Sequence, residues 1–199
     1  MEFGQVLRGR RMVRAYRPDP VPEDALERVV GVVRRAPSDG FAQGHRIVVV
    51  TGAAKRAELA AIAEPWYLEN GHQPWISQAP VQLVLGVREA SYHERYQEGD
   101  KLAEGDSEIP WPVPFWWFDA GALLVLLQLA AANEGLATGF YSPAPPEELA
   151  ALAAVAALPD DVSLTGVVTL GYAADDPAVP RAALARRRKP LDELVTRLA

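Results

Sequence analysis

The stretch that decides the reading is Asp119-Ala-Gly-Ala-Leu-Leu-Val-Leu-Leu-Gln-Leu-Ala-Ala-Ala-Asn-Glu-Gly-Leu136. Asp119 is suited to cap a helix, because its short side chain accepts from the first free amides. Gly135 falls where a left-handed residue would end that helix. Between them only Gln128, Asn133 and Glu134 are polar. A helix on the surface of a monomer shows a polar face. This one shows none, so every side needs cover. It is too short for a bilayer, which takes about 20 apolar residues. Two arrangements meet the demand. One is a central core helix in a monomer. The other lays one side on its own sheet and the other on a second copy of the chain. The small residues Gly121, Ala122, Ala130, Ala131 and Ala132 would allow the close approach that the second requires. A cofactor, if one binds, is expected at that seam.

Composition bounds the rest. A chain of 199 residues suits a single domain over 1–199, and 49% hydrophobic content gives it matter for a real core. A formal charge of −6 argues against nonspecific nucleic-acid binding. The absence of cysteine excludes disulfides, thiolate nucleophiles and thiolate metal sites, and fits a cytoplasmic protein. The first residues carry no apolar signal core, so neither export nor membrane attachment is expected. His45, His72 and His93 lack ligand spacing, so no metal site is expected.

Taken in order, residues 2–8 read as a short helix and 16–21, with Pro18 and Pro20, as extended chain. Proline and two acids open a helix at residue 22, which is expected to run to about Arg35. Residues 36–44 form a polar, glycine-bearing loop of the kind that holds small ligands. Strands are expected at 47–51, 81–87, 137–141 and 162–170, and helices at 55–63, 91–98, 145–157 and 191–198. Residues 64–78 read as irregular, 175–180 as a loop. Residues 110–118, Pro-Trp-Pro-Val-Pro-Phe-Trp-Trp-Phe, read either as a rigid strap over the core or as a pocket wall that stacks on a flat ligand. On the second reading Trp111, Phe115 and Trp116, with Phe41, would meet a substrate.

Two basic clusters stand near opposite ends of an acidic chain: Arg10, Arg11 and Arg14, then Arg186, Arg187, Arg188 and Lys189. They read either as solvated faces paired with surface acids or as a phosphate clamp, since guanidinium groups take phosphate in bidentate fashion. No Rossmann or P-loop glycine fingerprint occurs, nor any Gly-x-Ser-x-Gly or His-Glu-x-x-His. Chemistry, if present, is then carried by a cofactor rather than by side chains. A phosphorylated planar cofactor would use the arginines for phosphate and Ser38 and Gln43 for ring heteroatoms.

The succession Arg10-Arg-Met-Val-Arg14, Pro20-Val-Pro22, Ala36-Pro37-Ser38 with Gln43, Ala79-Pro80, Asp119-Ala-Gly121, Gly135-Leu136, Gly171-Tyr172 and Arg188-Lys-Pro-Leu191 resembles the FMN-dependent nitroreductase family, over nearly the whole chain. The resemblance implies an α+β sandwich, a central, mostly antiparallel sheet flanked by helices, in an intertwined homodimer with FMN at the interface. It implies that Arg10, Arg11, Met12 and Arg14 hold the cofactor from one end of the chain, and Arg188 with Arg186 from the other. Pro37, Ser38 and Gln43 would line the flavin, some from the second subunit, and Tyr141 and Ser142 would approach its N5 edge. The implied reaction is ping-pong, a hydride from NAD(P)H passing through flavin N5 to a nitroaromatic, quinone or similar acceptor, with no dedicated acid or base.

There are departures. Met12 stands where the family usually has serine, Phe41 where it has asparagine, and Gly44-His45 where it has Pro-Trp. The Gly40-Phe41-x-Gln43 form resembles the loop of the related 5,6-dimethylbenzimidazole synthases, which consume their own FMN with oxygen, although Met12 replaces the acid expected there. A flavin-binding or small-molecule-binding protein without turnover remains a third reading.

Overall fold

In the computed structural model, residues 2–102, 107–174 and 188–198 are described. Four strands, β1 (His45–Val50), β2 (Val81–Val87), β3 (Ala137–Tyr141) and β4 (Ser163–Gly171), form one sheet in the order β1-β2-β4-β3. Every pairing is antiparallel, with Leu83 opposite Val168 and Val84 opposite Val167. The two central strands are apolar without alternation because both of their faces are covered. Leu83, Leu85, Val168 and Leu170 point to one layer, and Val84 and Val167 to the other.

The first layer contains α2 (Glu23–Val30) and α5 (Phe115–Asn133), which bury Leu26, Val29, Leu123, Leu127 and Ala131 on the sheet. The second contains α3 (Ala53–Glu69) and α6 (Pro146–Val155), which bury Leu59, Ala60, Ala63 and Leu152 with Trp75 and Ile76. Helices on both faces of an antiparallel sheet make the expected α+β sandwich. Two short helices, α1 (Phe3–Gly9) and α4 (Ala90–Tyr96), lie at its margins.

Helix α5 differs from its sequence reading at the start. It begins at Phe115 after Pro114, so Asp119 sits inside the first turns and caps nothing. The far end behaves as expected. Gly135 adopts φ 73°, Leu136 N donates to Ala131 O at 2.8 Å, and Gly135 N donates to Ala132 O at 3.1 Å. That pair of bonds is a Schellman stop. By length and composition α5 would qualify as a membrane span. Its residues Trp116, Ala120, Leu123, Leu127 and Ala131, spaced four, three, four and four, lie buried instead, the packing of a core helix.

Three other boundaries move. The helix from residue 23 tightens into a 3-10 segment at Gly31–Arg35. Helix α3 continues through Pro65 to Glu69, into the part expected to be irregular. The last helix is a single turn, Leu191–Leu194, rather than eight residues. The expected loop at 175–180 lies outside the described residues.

Candidate functional site

After α1 the chain runs extended beside β3. Val13 N donates to Thr138 O at 2.9 Å, and Met12 pairs with Thr138 in a parallel bridge. This places Arg10 over α5, where Nη1 lies 3.5 Å from Gln128 Oε1, while Gln128 Nε2 reaches Met12 Sδ at 3.8 Å. Arg10 and Arg11 border a cavity of about 210 Å³ whose floor includes Gln128, Leu136 and Thr138. Arg14 turns the other way, its guanidinium 5.7 Å from the centre of the Trp75 ring. Arg188 is exposed, and Arg186 lies outside the described residues.

A larger cavity of about 380 Å³ opens where β3 ends. Tyr141 and Ser142 line it with Ala63, Trp66 and Tyr67 of α3, Pro143, Pro145 and Glu148. Tyr141 is buried and donates from its hydroxyl to Gln82 Oε1 at 3.2 Å; burial pushes its phenol up. Behind the cavity the Trp75 ring meets Tyr67 edge-on at 5.1 Å and Tyr141 at 6.0 Å, and Tyr67 meets His72 at 5.5 Å. Three buried nitrogens in this cluster have no hydrogen-bond partner: Arg14 Nε, His72 Nδ1 and Trp75 Nε1. Burial, and then the Arg14 charge, push the His72 imidazole down. An unmade hydrogen bond at a buried donor costs about 1–3 kcal/mol. A cationic guanidinium and two ring nitrogens, buried and unpaired behind the aromatic wall of the cavity, fit a planar, phosphorylated ligand with ring oxygens and nitrogens, so the residues present fit FMN.

The loop with Pro37, Ser38, Phe41 and Gln43 lies elsewhere. Asp119 binds it on α5, whereas Arg10 meets Gln128, nine residues on (128 − 119), about 13 Å along the helix axis. Gly40, Phe41 and Gln43 have φ of 58°, 62° and 53°. Each left-handed residue that is not glycine costs on the order of 1 kcal/mol and persists only when its surroundings impose it. The restraints here are many. Gln43 N donates to Ser38 Oγ at 2.9 Å, Asp39 N to Asp119 Oδ2 at 2.9 Å, and Arg95 Nε to Gly40 O at 2.9 Å. Tyr92 and Tyr96 donate their hydroxyls to Asp119 Oδ2 and Asp39 Oδ2, at 2.7 and 2.8 Å. Burial, and then those carboxylates, push both phenols up. The result displays Phe41, 71% exposed, and the Gln43 side chain.

The aromatic segment divides into support and surface. Trp111 is half-buried, its indole N–H donating to Glu108, which also bonds His93. Trp116 is buried against Tyr92, His93 and Trp111. Phe115, Trp117 and Phe118 are exposed, with Phe115 and Phe118 5.9 Å apart. Sequence reasoning gave no site role to Asp119, His72 or Trp75, and took Trp117 and Phe118 only as part of the 110–118 segment. Asp119 carried a signal, an acid in an apolar run, but one that also suits a cap. Among the described residues no group of His, Asp and Glu could hold a metal ion.

This arrangement, helices on both faces of an antiparallel sheet with cavities at its edge, is the nitroreductase-like sandwich. The Nitroreductase family model matches residues 7–172, and the chain belongs to that family. A curated relative named NADH dehydrogenase, from Thermus thermophilus, is 28% identical over 187 residues, 84% of either chain. A 5,6-dimethylbenzimidazole synthase from Rhodobacter capsulatus is 46% identical over 95 residues, 41% of this chain and 46% of its own. Among solved structures, a putative nitroreductase from Bacillus subtilis aligns with TM-score 0.76 at 17% identity over 99% of both chains. A nitroreductase family protein from Streptococcus pneumoniae aligns with TM-score 0.74 at 19% identity, over 99% of this chain and 100% of its own.

Proposed function

We propose that the chain is an FMN-dependent NAD(P)H oxidoreductase whose site is completed by a second copy of itself. The observation that carries this is the buried, unpaired cluster of Arg14 Nε, His72 Nδ1 and Trp75 Nε1 behind the cavity lined by Tyr141 and Ser142. A relative named FMN reductase [NAD(P)H], from Bacillus subtilis, 30% identical over 79 residues, adds support. Arg10 and Arg11 from one end, with Arg186 and Arg188 from the other, neutralise the phosphate, and Arg14, turned toward Trp75, holds the ribityl chain. Ser142 and Tyr141 hold one side of the ring. Pro37, Ser38, Phe41 and Gln43 reach it from the other copy, because within one chain they stand apart from the arginines. FMN, held there, would supply the hydride-accepting and electron-donating chemistry that links NAD(P)H to an acceptor. The chain's contribution is to position, exclude water and stabilise charge. Exposed Phe41, Phe115 and Phe118 suit a flat acceptor, a nitroaromatic or a quinone. A chain without cysteine suits the reducing cytoplasm.

The test is to load the purified protein with FMN, add NADPH or NADH without oxygen, and follow flavin absorbance. Bleaching within seconds is expected; a spectrum that stays yellow would make it a binder without turnover. Arg10→Ala with Arg14→Ala should weaken FMN binding about a hundredfold, two charge-assisted contacts being lost. Unchanged affinity refutes the phosphate assignment.

A second reading has its own support. The Gly40-Phe41-x-Gln43 loop and the match to 5,6-dimethylbenzimidazole synthase favour an enzyme that consumes reduced FMN with oxygen. Aerobic incubation with excess reduced FMN separates the two. Formation of 5,6-dimethylbenzimidazole supports the second reading, and recovery of intact FMN excludes it.

A further inference from the structure

We propose that Asp119 is a positioning residue, which with Tyr92, Tyr96 and Asp39 clamps the Phe41–Gln43 loop in the conformation the reaction needs. The inference rests on the functional reading above.

An acid in the second turn of an apolar helix needs a reason. Asp119 neither caps α5 nor pairs with a cation among its hydrogen-bond partners. Its Oδ2 instead joins three elements, accepting from the Asp39 amide at 2.9 Å and from the Tyr92 hydroxyl of α4 at 2.7 Å. Asp39 in turn accepts from the Tyr96 hydroxyl at 2.8 Å. Tyr92 and Tyr96 are four residues apart, one turn of α4, so both phenols point from one face into the loop. Arg95 adds a bond from Nε to Gly40 O at 2.9 Å.

The loop is fitted to this face with no room to spare. A Cβ on Gly40 would lie 2.5 Å from the Tyr96 ring, and one on Gly44 2.6 Å from the Tyr92 ring. Three of the four residues from Gly40 to Gln43 are left-handed, a state that two of them, Phe41 and Gln43, hold only under outside restraint. What this apparatus achieves is display. Phe41 and Gln43 are both exposed. Folding has no use for so much restraint on an outward-facing pair; a ligand site does, because misplacing a contact by about 1 Å can cost a hundredfold.

The test has two arms. In the first, amide hydrogen exchange is measured without flavin on wild type, Asp119→Asn and Tyr96→Phe. Exchange at residues 39–43 should rise about tenfold in Asp119→Asn and less in Tyr96→Phe, while β2 stays protected. In the second, the FMN-loaded proteins are assayed with NADH and 1,4-benzoquinone. KM for the quinone should rise about tenfold in Asp119→Asn, with kcat changed less than about threefold, and Tyr96→Phe should show the same split more weakly. Unchanged loop exchange overturns the clamp. Exchange raised equally across the sheet makes Asp119 a folding residue only. A loosened loop with unchanged KM overturns its role in the reaction. Wild type that binds no FMN overturns the functional reading, and is told apart because the exchange arm needs no flavin.

Discussion

Helix α5 has two faces of the same chemistry and opposite fates. On the inner face Leu123, Leu127 and Ala131 are 1%, 0% and 0% exposed. On the outer face Trp117, Phe118 and Val125 are 45%, 65% and 48% exposed. Nothing in their polarity separates the two sets; only the sheet beneath one of them does. A contiguous apolar surface on a folded chain marks an interaction site. The contrast assigns the inner stripe to folding and leaves the outer one to the second copy proposed above.

The comparison can be broken from either side. Leu127→Ala removes a fully buried side chain against Leu83 and Leu85 and should lower stability by about 3 kcal/mol, read as a shift in urea midpoint. A loss below about 1 kcal/mol would mean that the inner face is not the core. Val125→Glu should leave the stability of a lone chain within about 0.5 kcal/mol but weaken self-association about a hundredfold, since a carboxylate would be buried unpaired. Light scattering should then give 21.6 kDa rather than twice that mass. A dimer that survives the substitution places the partner elsewhere.

The smallest effect concerns the aromatic segment, which is held differently from the core. Hydrogen bonding to Glu108 raises the His93 imidazole above its ordinary 6.5, against the pull of burial. Trp111 and then His93 hold Glu108 below its ordinary 4.5. A raised histidine contributes stability that is present below pH 6.5 and lost as pH climbs through its folded value; a depressed glutamate contributes stability that is present above 4.5 and lost on acidification. The contact is strongest between those limits. Wild type should exceed His93→Gln in stability by under about 1 kcal/mol near pH 6, the site being partly exposed, and by less near pH 8.5. The Leu127→Ala effect should not change between those two values, and one that did would erase the distinction between the regions.

How far residues alone reveal this structure depends on the range of the forces involved. Strand β2 was legible because burial on both faces leaves an apolar run, Val81 to Val87, interrupted only by Gln82 and Gly86. The end of α5 was legible because a Schellman stop needs only a glycine in place. Its start was not: Asp119 has the chemistry of a cap, and the aromatics after Pro114 look like strap, yet Trp117 N bonds back to Pro114 O and the helix begins there. Helix α3 passes Pro65 against local preference because its apolar face is already packed on the sheet. For the candidate site, type and order were enough to propose Arg10, Arg14 and Tyr141. The conformation of Phe41 and Gln43 could not be read this way, because Arg95, Tyr96 and Asp119, which hold the loop, lie 55 to 80 positions from it in sequence.

One carboxylate remains. Glu64 Oε1 accepts from the amides of Trp75, Ile76 and Ser77 at 2.7, 2.7 and 3.1 Å. Three main-chain donors converging on one oxygen form an inward-facing nest, of the kind other proteins turn toward phosphate. Here the chain fills the nest with its own side chain, and so seats the Trp75 indole firmly as it folds. The loss of freedom in that wall falls on folding and not on binding, so a ring entering beside Tyr67 and Tyr141 meets a surface already at rest.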